Sequence, residues 1–374
     1  MNIKQRITHN LLNIPGWRTN RKIVVIESDD WGSIRMPSRE VYERLLKAGI
    51  RVDNCHYCSN DSIASEEDLS LLFDVLHSVK DKNGNPAVIT ANAIVANPDF
   101  EKIRDSGFAH YYFKRITEEI PRIAGCEKSL GMWKEGQRSG CFQLQSHGRE
   151  HLNVARWMHY LNGDYPETRL AFNLGVYGLS TVITSEKRKS FLPAFDFTNK
   201  EEEIQANKIA AEGLRIFEEI FGYKSESFIA PNYVWGKSLE KTLAENGVKY
   251  LQGQMRAVYR NADGEQNKIR MRKQGGVSEM GLINLGRNAL FEPSENQNKD
   301  WISECLLDVS ISFRWQKPAI ISSHRVNYIS AINPRNRDNG LTLLSQLLKQ
   351  IVQRWPDVEF MSSDKLGQLI QHSR

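Results

Sequence analysis

Short apolar runs alternate with amphipathic segments from Arg21 almost to the end of the chain. Apolar runs bounded by polar turns predict buried strands, and apolar residues at three- and four-residue spacing predict helices. The predicted strands are Lys22–Ser28, Ala87–Asn92, Cys141–Ser146, Ser227–Ala230, Val248–Gln252, Leu282–Leu285, Ala319–Ser323 and Val358–Met361.

The segments between these strands carry an apolar face together with signals that start or stop a helix. Ser65 is suited to cap a helix, and Gly222, Gly247 and Pro356 are suited to end one. The predicted helices are Glu66–Val79, Glu201–Phe221, Lys237–Asn246 and Leu341–Trp355.

Strand–helix alternation predicts a parallel sheet with right-handed crossovers. Seven or eight such units in one series favour a distorted (β/α) barrel, similar to a TIM barrel, over an open sheet. We expect one α/β domain over residues 21–374, preceded by an extension over residues 1–20. Residues 152–197 and 256–281 are less regular and are predicted to be insertions over the barrel mouth.

Composition narrows the class of protein. A hydrophobic fraction of 40% and a charged fraction of 25% are those of a soluble globular protein. The net charge of +5 is small, and the basic clusters are short, so nucleic-acid binding is not expected. No apolar run approaches the ~20 residues of a membrane span, and no secretory signal is visible. These features predict a cytoplasmic protein and give no indication of its oligomeric state.

The five cysteines form an odd number, which does not suggest a disulfide framework. Cys55-His56-Tyr57-Cys58 has the spacing of a metal or redox motif. Because Cys126 and Cys141 are too far apart to complete a structural zinc site, reduced thiols are the favoured interpretation.

Polar side chains that could carry chemistry follow three of the predicted strands. Asp29 and Asp30 follow the first strand, His147 and His151 follow the third, and His324 ends a later one. Strand ends meet at one face of a parallel barrel. One carboxylate and two histidines suit a catalytic zinc site with an open position for water, leaving an Asp and a His for proton transfer.

Other interpretations fit parts of this pattern. The Asp29-Asp30 pair alone could be a polar strand-to-loop transition. His147–His151 also fits H-x-x-E-H, the inverted zinc-peptidase motif, with Glu150 as base. Two histidines and a carboxylate occur in non-haem iron oxygenases, although those sites usually lie on antiparallel sheets.

Taken together, the motifs resemble those of the polysaccharide deacetylases, the NodB-homology carbohydrate esterases. The aspartate pair, the paired histidines and Ile321-Ser322-Ser323-His324 are similar to three of that family's motifs. The resemblance implies a distorted (β/α) barrel that removes acetyl groups from an N-acetylated sugar or polysaccharide. It further implies the following roles: Asp29 as catalytic base, His324 as general acid, and Asp30, His147 and His151 as metal ligands.

The same resemblance suggests a substrate groove. Phe228–Tyr233 is similar to the family's Arg-x-Pro segment, which lines the groove. The predicted substrate contacts are Trp31, Pro231, Asn232, Tyr233 and Trp235. The expected metal is Zn²⁺, although Co²⁺, Ni²⁺ and Fe²⁺ accept the same ligands.

The chain departs from the family pattern at three positions. Trp31 replaces a glycine, Gly148 replaces Ser or Thr, and Ile229 replaces the arginine that positions the catalytic aspartate. The arginines that could substitute are Arg35, Arg149 and Arg325. If none does, a non-catalytic, metal-keeping carbohydrate-binding barrel is the alternative.

Overall fold

A computed structural model describes residues 3–260 and 267–374. Its strands are β1 (Lys22–Trp31), β2 (Ile89–Ala93), β3 (Ala96–Pro98), β4 (Phe113–Arg115), β5 (Phe142–Ser146), β6 (Ser227–Phe228), β7 (Val234–Gly236), β8 (Tyr250–Gln254), β9 (Arg256–Arg260), β10 (Asn267–Met271), β11 (Ile283–Arg287), β12 (Ala289–Leu290), β13 (Ala319–His324) and β14 (Val358–Phe360).

The helices lie mostly between the strands. They are α1 (Ile3–Asn13), α2 (Arg39–Lys47), α3 (His56–Asn60), α4 (Glu66–His77), α5 (Phe100–Asp105), α6 (Ile116–Glu119), α7 (Ser129–Arg138), α8 (Val154–Asn162), α9 (Pro166–Asn173), α10 (Lys200–Phe221), α11 (Lys237–Glu245), α12 (Trp301–Arg314), α13 (Pro334–Arg354) and α14 (Ser363–His372). Single 3₁₀ turns cover Val52–Asn54, Ile120–Arg122, Pro231–Tyr233 and Arg325–Tyr328.

A parallel sheet in the order β11-β8-β6-β5-β2-β1-β13-β12 forms the centre of the molecule, and β14 pairs with the beginning of β1. Its two edge strands are consecutive in the chain, joined by Asn288, whose N–H donates to Ile320 O at 3.1 Å. The sheet therefore curls into a nearly closed barrel, which confirms the predicted α/β fold.

Each predicted strand and helix overlaps an observed one, and the differences have local causes. Helix α13 begins at Pro334, seven residues before the predicted start, because proline is well tolerated in a first helical turn. Residues 152–173 form α8 and α9, not an irregular loop. Val154, Trp157 and Leu161 give α8 a buried apolar face.

The predicted N-terminal extension and the predicted insertion over residues 256–281 lie outside the barrel strands. Residues Ile3–Asn13 form α1, and the Trp17 N–H donates to Gln274 O at 2.7 Å. The segment over 256–281 contains an antiparallel hairpin of β9 and β10, and residues 261–266 lie outside the described part of the chain. The five cysteines are free thiols. Within the described ranges, every helix is too short or too polar to cross a bilayer.

Candidate active site

A backbone irregularity at the end of β1 lets two consecutive aspartates face one cavity. Successive side chains of a regular strand point to opposite faces. Here the pairing of β1 with β2 shifts register between Ser28 and Trp31, and Asp30 has the left-handed φ of 72°. As a result, Asp29 and Asp30 both line the same cavity.

Asp30, His147 and His151 come together as a group that fits a metal ion. Asp30 Oδ1 lies 3.4 Å from His147 Nε2 and 3.3 Å from His151 Nε2. One potential ligand atom from each of the three residues lies within 4.8 Å of the others. Asp30 Oδ1 and His147 Nε2 are buried without a hydrogen-bond partner, which is costly unless a cation satisfies them.

The two histidines are prepared for this role by their surroundings. The His147 ring donates from Nδ1 to Ile229 O at 2.9 Å, which leaves Nε2 as the atom free to bind metal. Burial lowers the pKa of His151 to about 3, so its ring stays neutral, as a metal ligand must be.

Asp29 is held by an arginine that lies at the end of β11. Arg287 donates from Nη2 to Asp29 Oδ1 at 2.6 Å and from Nη1 to Asp29 Oδ2 at 2.8 Å. Asn92 donates to Asp29 Oδ1 at 2.8 Å. Burial alone would raise the pKa of Asp29, but the Arg287 charge and hydrogen bonds outweigh it and hold the pKa at about 2. The carboxylate is therefore ionised at neutral pH.

None of the three arginines proposed from the sequence pairs with Asp29. Arg35 lies 3.8 Å from Asp30, and Arg325 pairs with Asp61 at 2.7 Å. Arg149 is bound to Glu150. The sequence did carry a signal for Arg287, since this residue follows a predicted strand just as the other site residues do.

His324 lies at the end of β13. This strand pairs with β1 on the side away from β5, the strand that precedes His147 and His151. His324 Nε2 is 3.7 Å from Asp29 Oδ2, and His324 Nδ1 bonds to Glu292 Oε2 at 2.6 Å. Burial acts to lower the pKa of His324, but the Glu292 carboxylate, with help from Asp29, raises it to about 9. The ring is thus protonated at neutral pH.

The predicted substrate contacts divide into two groups. Asn232 and Tyr233 line the cavity, and both have left-handed φ angles, of 56° and 57°. Pro231 directly precedes them and is buried. The Tyr233 hydroxyl accepts from Arg287 Nη1 at 2.9 Å, which ties this loop to the ion pair of Arg287 and Asp29.

The two tryptophans among the predicted substrate contacts are placed differently, and for them that expectation is wrong. Trp31 is buried edge-on against Trp133 and Phe142. Trp235 is buried against Tyr259, and its Nε1 donates to Glu240. Neither ring presents a face to the cavity, because both fill the core beside it.

The zinc-peptidase interpretation also fails on geometry. That mechanism needs the H-x-x-E-H motif within a helix and its glutamate free to act as base. Residues 147–151 form a loop between β5 and α8. The Glu150 carboxylate instead accepts from Arg149 Nη2 at 2.6 Å.

These side chains surround a cavity of about 290 Å³ at the mouth of the barrel. The carboxyl ends of β1 and β13 and the loops after β5 and β6 supply the polar walls. Tyr57, Ser180 and Leu192 come from segments outside the sheet and complete the enclosure.

Comparison with known proteins finds solved structures that are similar to this one. No protein-family model and no curated protein sequence matches the chain. Among solved structures, a Parabacteroides distasonis protein described as a glycoside hydrolase/deacetylase matches with a TM-score of 0.51 and 10% identity, over 95% of this chain and 72% of that one. A Mycobacterium smegmatis protein described as a polysaccharide deacetylase matches with a TM-score of 0.43 and 13% identity, over 96% and 93% of the two chains.

Peptidoglycan deacetylase PdaC from Bacillus subtilis also matches, with a TM-score of 0.35 and 10% identity, over 95% of this chain and 94% of that one. At these identities the likeness concerns the fold alone. The fold that the resemblance implied is confirmed by the Parabacteroides distasonis structure.

Proposed function

We infer that this protein is a metal-dependent hydrolase that removes the acetyl group from an N-acetylated sugar. The observation that carries the inference is the arrangement around Asp29. The carboxylate of Asp29, kept ionised by Arg287, directly precedes the proposed metal ligand Asp30 in the chain and lies 3.7 Å from a protonated His324. A base, an acid and a metal site therefore face one cavity.

A divalent cation held by Asp30, His147 and His151 would supply Lewis acidity, polarising the acetyl carbonyl and making water a better nucleophile at neutral pH. Asp29 then accepts the proton of the attacking water, since its pKa of about 2 keeps it ionised. Arg287 fixes both carboxylate oxygens during this transfer.

His324 is suited to the second half of the reaction. An amine is a poor leaving group until it is protonated, and a general acid must hold its proton at the working pH. Glu292 keeps the pKa of His324 near 9, so the proton is available. This supports an amide substrate, and an acetylated amino sugar fits the polar walls formed by Asn232 and Tyr233.

The chemistry of the ligands favours Zn²⁺, and Co²⁺, Ni²⁺ or Fe²⁺ are compatible with the same set. The non-catalytic binding barrel is less favoured than it was from the sequence. Its main support was Ile229 in place of arginine, and Arg287 supplies the missing guanidinium from another strand.

The proposal is tested by measuring acetate release from a panel of N-acetylated sugars and oligosaccharides, with and without chelator. We expect release that stops on metal removal, returns on adding Zn²⁺ and is abolished in Asp29→Asn. Asp357→Asn, a change at an exposed surface ion pair, is the matched control and should be unaffected. Acetate release that ignores both chelator and Asp29→Asn would contradict the mechanism.

A further inference from the structure

The Cys55-His56-Tyr57-Cys58 segment has no part in the proposed reaction, yet it reaches the catalytic cavity. Cys55 is half-buried and lines that cavity together with Tyr57. The other four cysteines are buried, and Cys58 is 1% exposed. Within the described ranges, Cys55 is therefore the one cysteine that a small molecule in the cavity can touch.

The two cysteines of this segment lie on one helical turn. Cys55 directly precedes α3, and the Ser59 N–H donates to Cys55 O at 2.9 Å, which closes the turn. Residues three apart on a helix are neighbours, with Cβ atoms ~5–6 Å apart. The Cys58 side chain also hydrogen-bonds to that of Cys55. A disulfide has Cβ atoms ~3.5–4.5 Å apart, so a small movement of this turn is enough to form one.

The surroundings make Cys55 the attacking thiol and Cys58 the resolving one. The hydrogen bond from Cys58, with help from the charge of Arg35, outweighs burial and lowers the pKa of Cys55 to about 6. The same hydrogen bond and burial raise the pKa of Cys58. Partly exposed thiolates near a positive charge are the cysteines that react with disulfides. Burial raises the pKa of the three remaining cysteines, Cys126, Cys141 and Cys305.

A disulfide in this turn would act on His324 through Tyr57, which lies between the two cysteines in the chain. The Tyr57 ring packs edge-on against His324 with centroids 5.5 Å apart, and the Arg35 guanidinium lies 4.7 Å from the Tyr57 centroid. Drawing the two sulfur atoms together moves the backbone that carries this ring. The contact between Tyr57 and His324 therefore changes when the disulfide forms.

We propose that Cys55 and Cys58 form a thiol modification site on the wall of the catalytic cavity. A low-molecular-weight disulfide, such as oxidised glutathione, converts the pair into a Cys55–Cys58 disulfide and thereby shifts Tyr57 against His324. The modification is independent of the reaction that the cavity catalyses.

The oxidation proceeds in two exchanges. The Cys55 thiolate attacks one sulfur of oxidised glutathione, forms a mixed disulfide and releases a glutathione thiolate, which takes up a proton. The Cys58 thiol then gives up its proton and attacks the Cys55 sulfur, and the second glutathione leaves and is protonated. The two cysteines together lose two electrons and two protons, and oxidised glutathione is reduced to two molecules of glutathione.

The first test adds oxidised glutathione to the reduced full chain and alkylates the remaining thiols before peptide mass spectrometry. We expect a Cys55–Cys58 disulfide that dithiothreitol reverses. The internal controls that should remain open to alkylation are Cys126, Cys141 and Cys305. A Cys55 that stays reduced, or that ends as a lasting glutathione adduct beside a free Cys58, would overturn the proposed site.

Two variants test the order of attack. Cys58→Ser should accumulate the mixed disulfide on Cys55, because the resolving thiol is missing. Cys55→Ser should leave Cys58 unmodified after a time that fully oxidises the wild type, since Cys58 is buried. The matched control is Cys126→Ser, which should form the disulfide at the wild-type rate. Modification of Cys58 at that same rate in Cys55→Ser would contradict the assignment of Cys55 as the attacking thiol.

The link to His324 is measured by NMR of the histidine rings in the full chain. The His324 signals, assigned with His324→Gln, should shift when the disulfide forms and return on adding dithiothreitol. His372, which is exposed at the end of α14, is the control and should not respond. Unchanged His324 signals in protein with a complete disulfide would overturn the proposed shift of Tyr57.

Discussion

Arg287 and Asp29 form a two-bonded ion pair across the barrel, from the end of β11 to the end of β1. A fork of this kind fixes the orientation of the carboxylate as well as its charge. Arg287 also donates to Glu27 at 2.6 Å, so one buried guanidinium binds two carboxylates on β1. The resembled family has an arginine at the position of Ile229. In this chain the guanidinium that contacts the aspartate comes from a different strand.

Arg287→Lys should lower kcat by ~10²-fold, because a lysine keeps the charge but cannot hold both oxygens of Asp29. Burial raises the pKa of Asp29, and a lysine would oppose this effect less strongly than Arg287 does. The pKa of Asp29 should therefore rise. Since the base works only when ionised, the acidic limb of the pH profile of kcat/KM should move to higher pH. Arg138→Lys, on the surface of α7, is the control. An unchanged acidic limb would show that Arg287 does not control the base.

Glu292→Gln should move the alkaline limb of the pH profile of kcat/KM. Glu292 is the main group that raises the pKa of His324 against the effect of burial. Without its charge the ring loses its proton at lower pH, so the alkaline limb should shift downwards while the acidic limb stays in place. The exposed Glu295→Gln is the matched control. A profile that does not respond to Glu292→Gln would remove His324 from the role of general acid.

Five of the residues that the sequence predicted for the site share a simple signal, and the structure brings them together at one cavity. Asp29, Asp30, His147, His151 and His324 each lie at or shortly after the end of a predicted strand, and parallel strands bring such ends together. Arg287 also follows a predicted strand, Leu282–Leu285, but it lies outside the motifs that resemble the family. That it reaches Asp29 follows only from the closing of the sheet.

Whether a side chain faces the cavity was harder to predict than where its residue lies in the fold. The two tryptophans were predicted to contact the substrate, but aromatic rings serve equally in packing and in binding. Whether Trp31 faces the cavity depends on the register shift and the left-handed Asp30. Whether Trp235 faces the cavity depends on its contact with Tyr259 of the hairpin strand β9. Neither relationship is local in the sequence.

Gly148→Ser restores the type of residue that the resembled family has after its first histidine, and we expect it to harm this protein. Gly148 has a φ of 109°, and a Cβ there would lie 3.2 Å from the Phe195 ring. The strain should cost ~1–3 kcal/mol of stability and weaken metal binding by the loop 147–151. Thermal unfolding and a Zn²⁺ titration measure both. Gly131→Ser is the control, since a Cβ at Gly131 meets nothing within 4 Å. Equal stability of the two variants would show that the loop tolerates serine.

Glu150→Gln separates the deacetylase mechanism from a peptidase mechanism. Glu150 neutralises Arg149 in the loop that carries both histidines. Loss of its charge should cost ~1.5–3 kcal/mol of stability while chelator-sensitive acetate release persists, because the carboxylate does not act on the substrate. Complete loss of activity in a folded, metal-loaded variant would make Glu150 the base.

Metal binding itself should stabilise the fold. Asp30 Oδ1 and His147 Nε2 are buried and unpartnered in the protein alone, so an ion that binds only the folded state relieves a cost already present. At a free concentration one hundred times the Kd, the gain is ~2.7 kcal/mol. Zn²⁺ should therefore raise the Tm of the wild type, and chelator should reverse the shift. His151→Ala should abolish the response, whereas His159→Ala, at an exposed position on α8, should retain it. A Zn²⁺-induced rise in Tm that survives in His151→Ala would place the ion elsewhere in the protein.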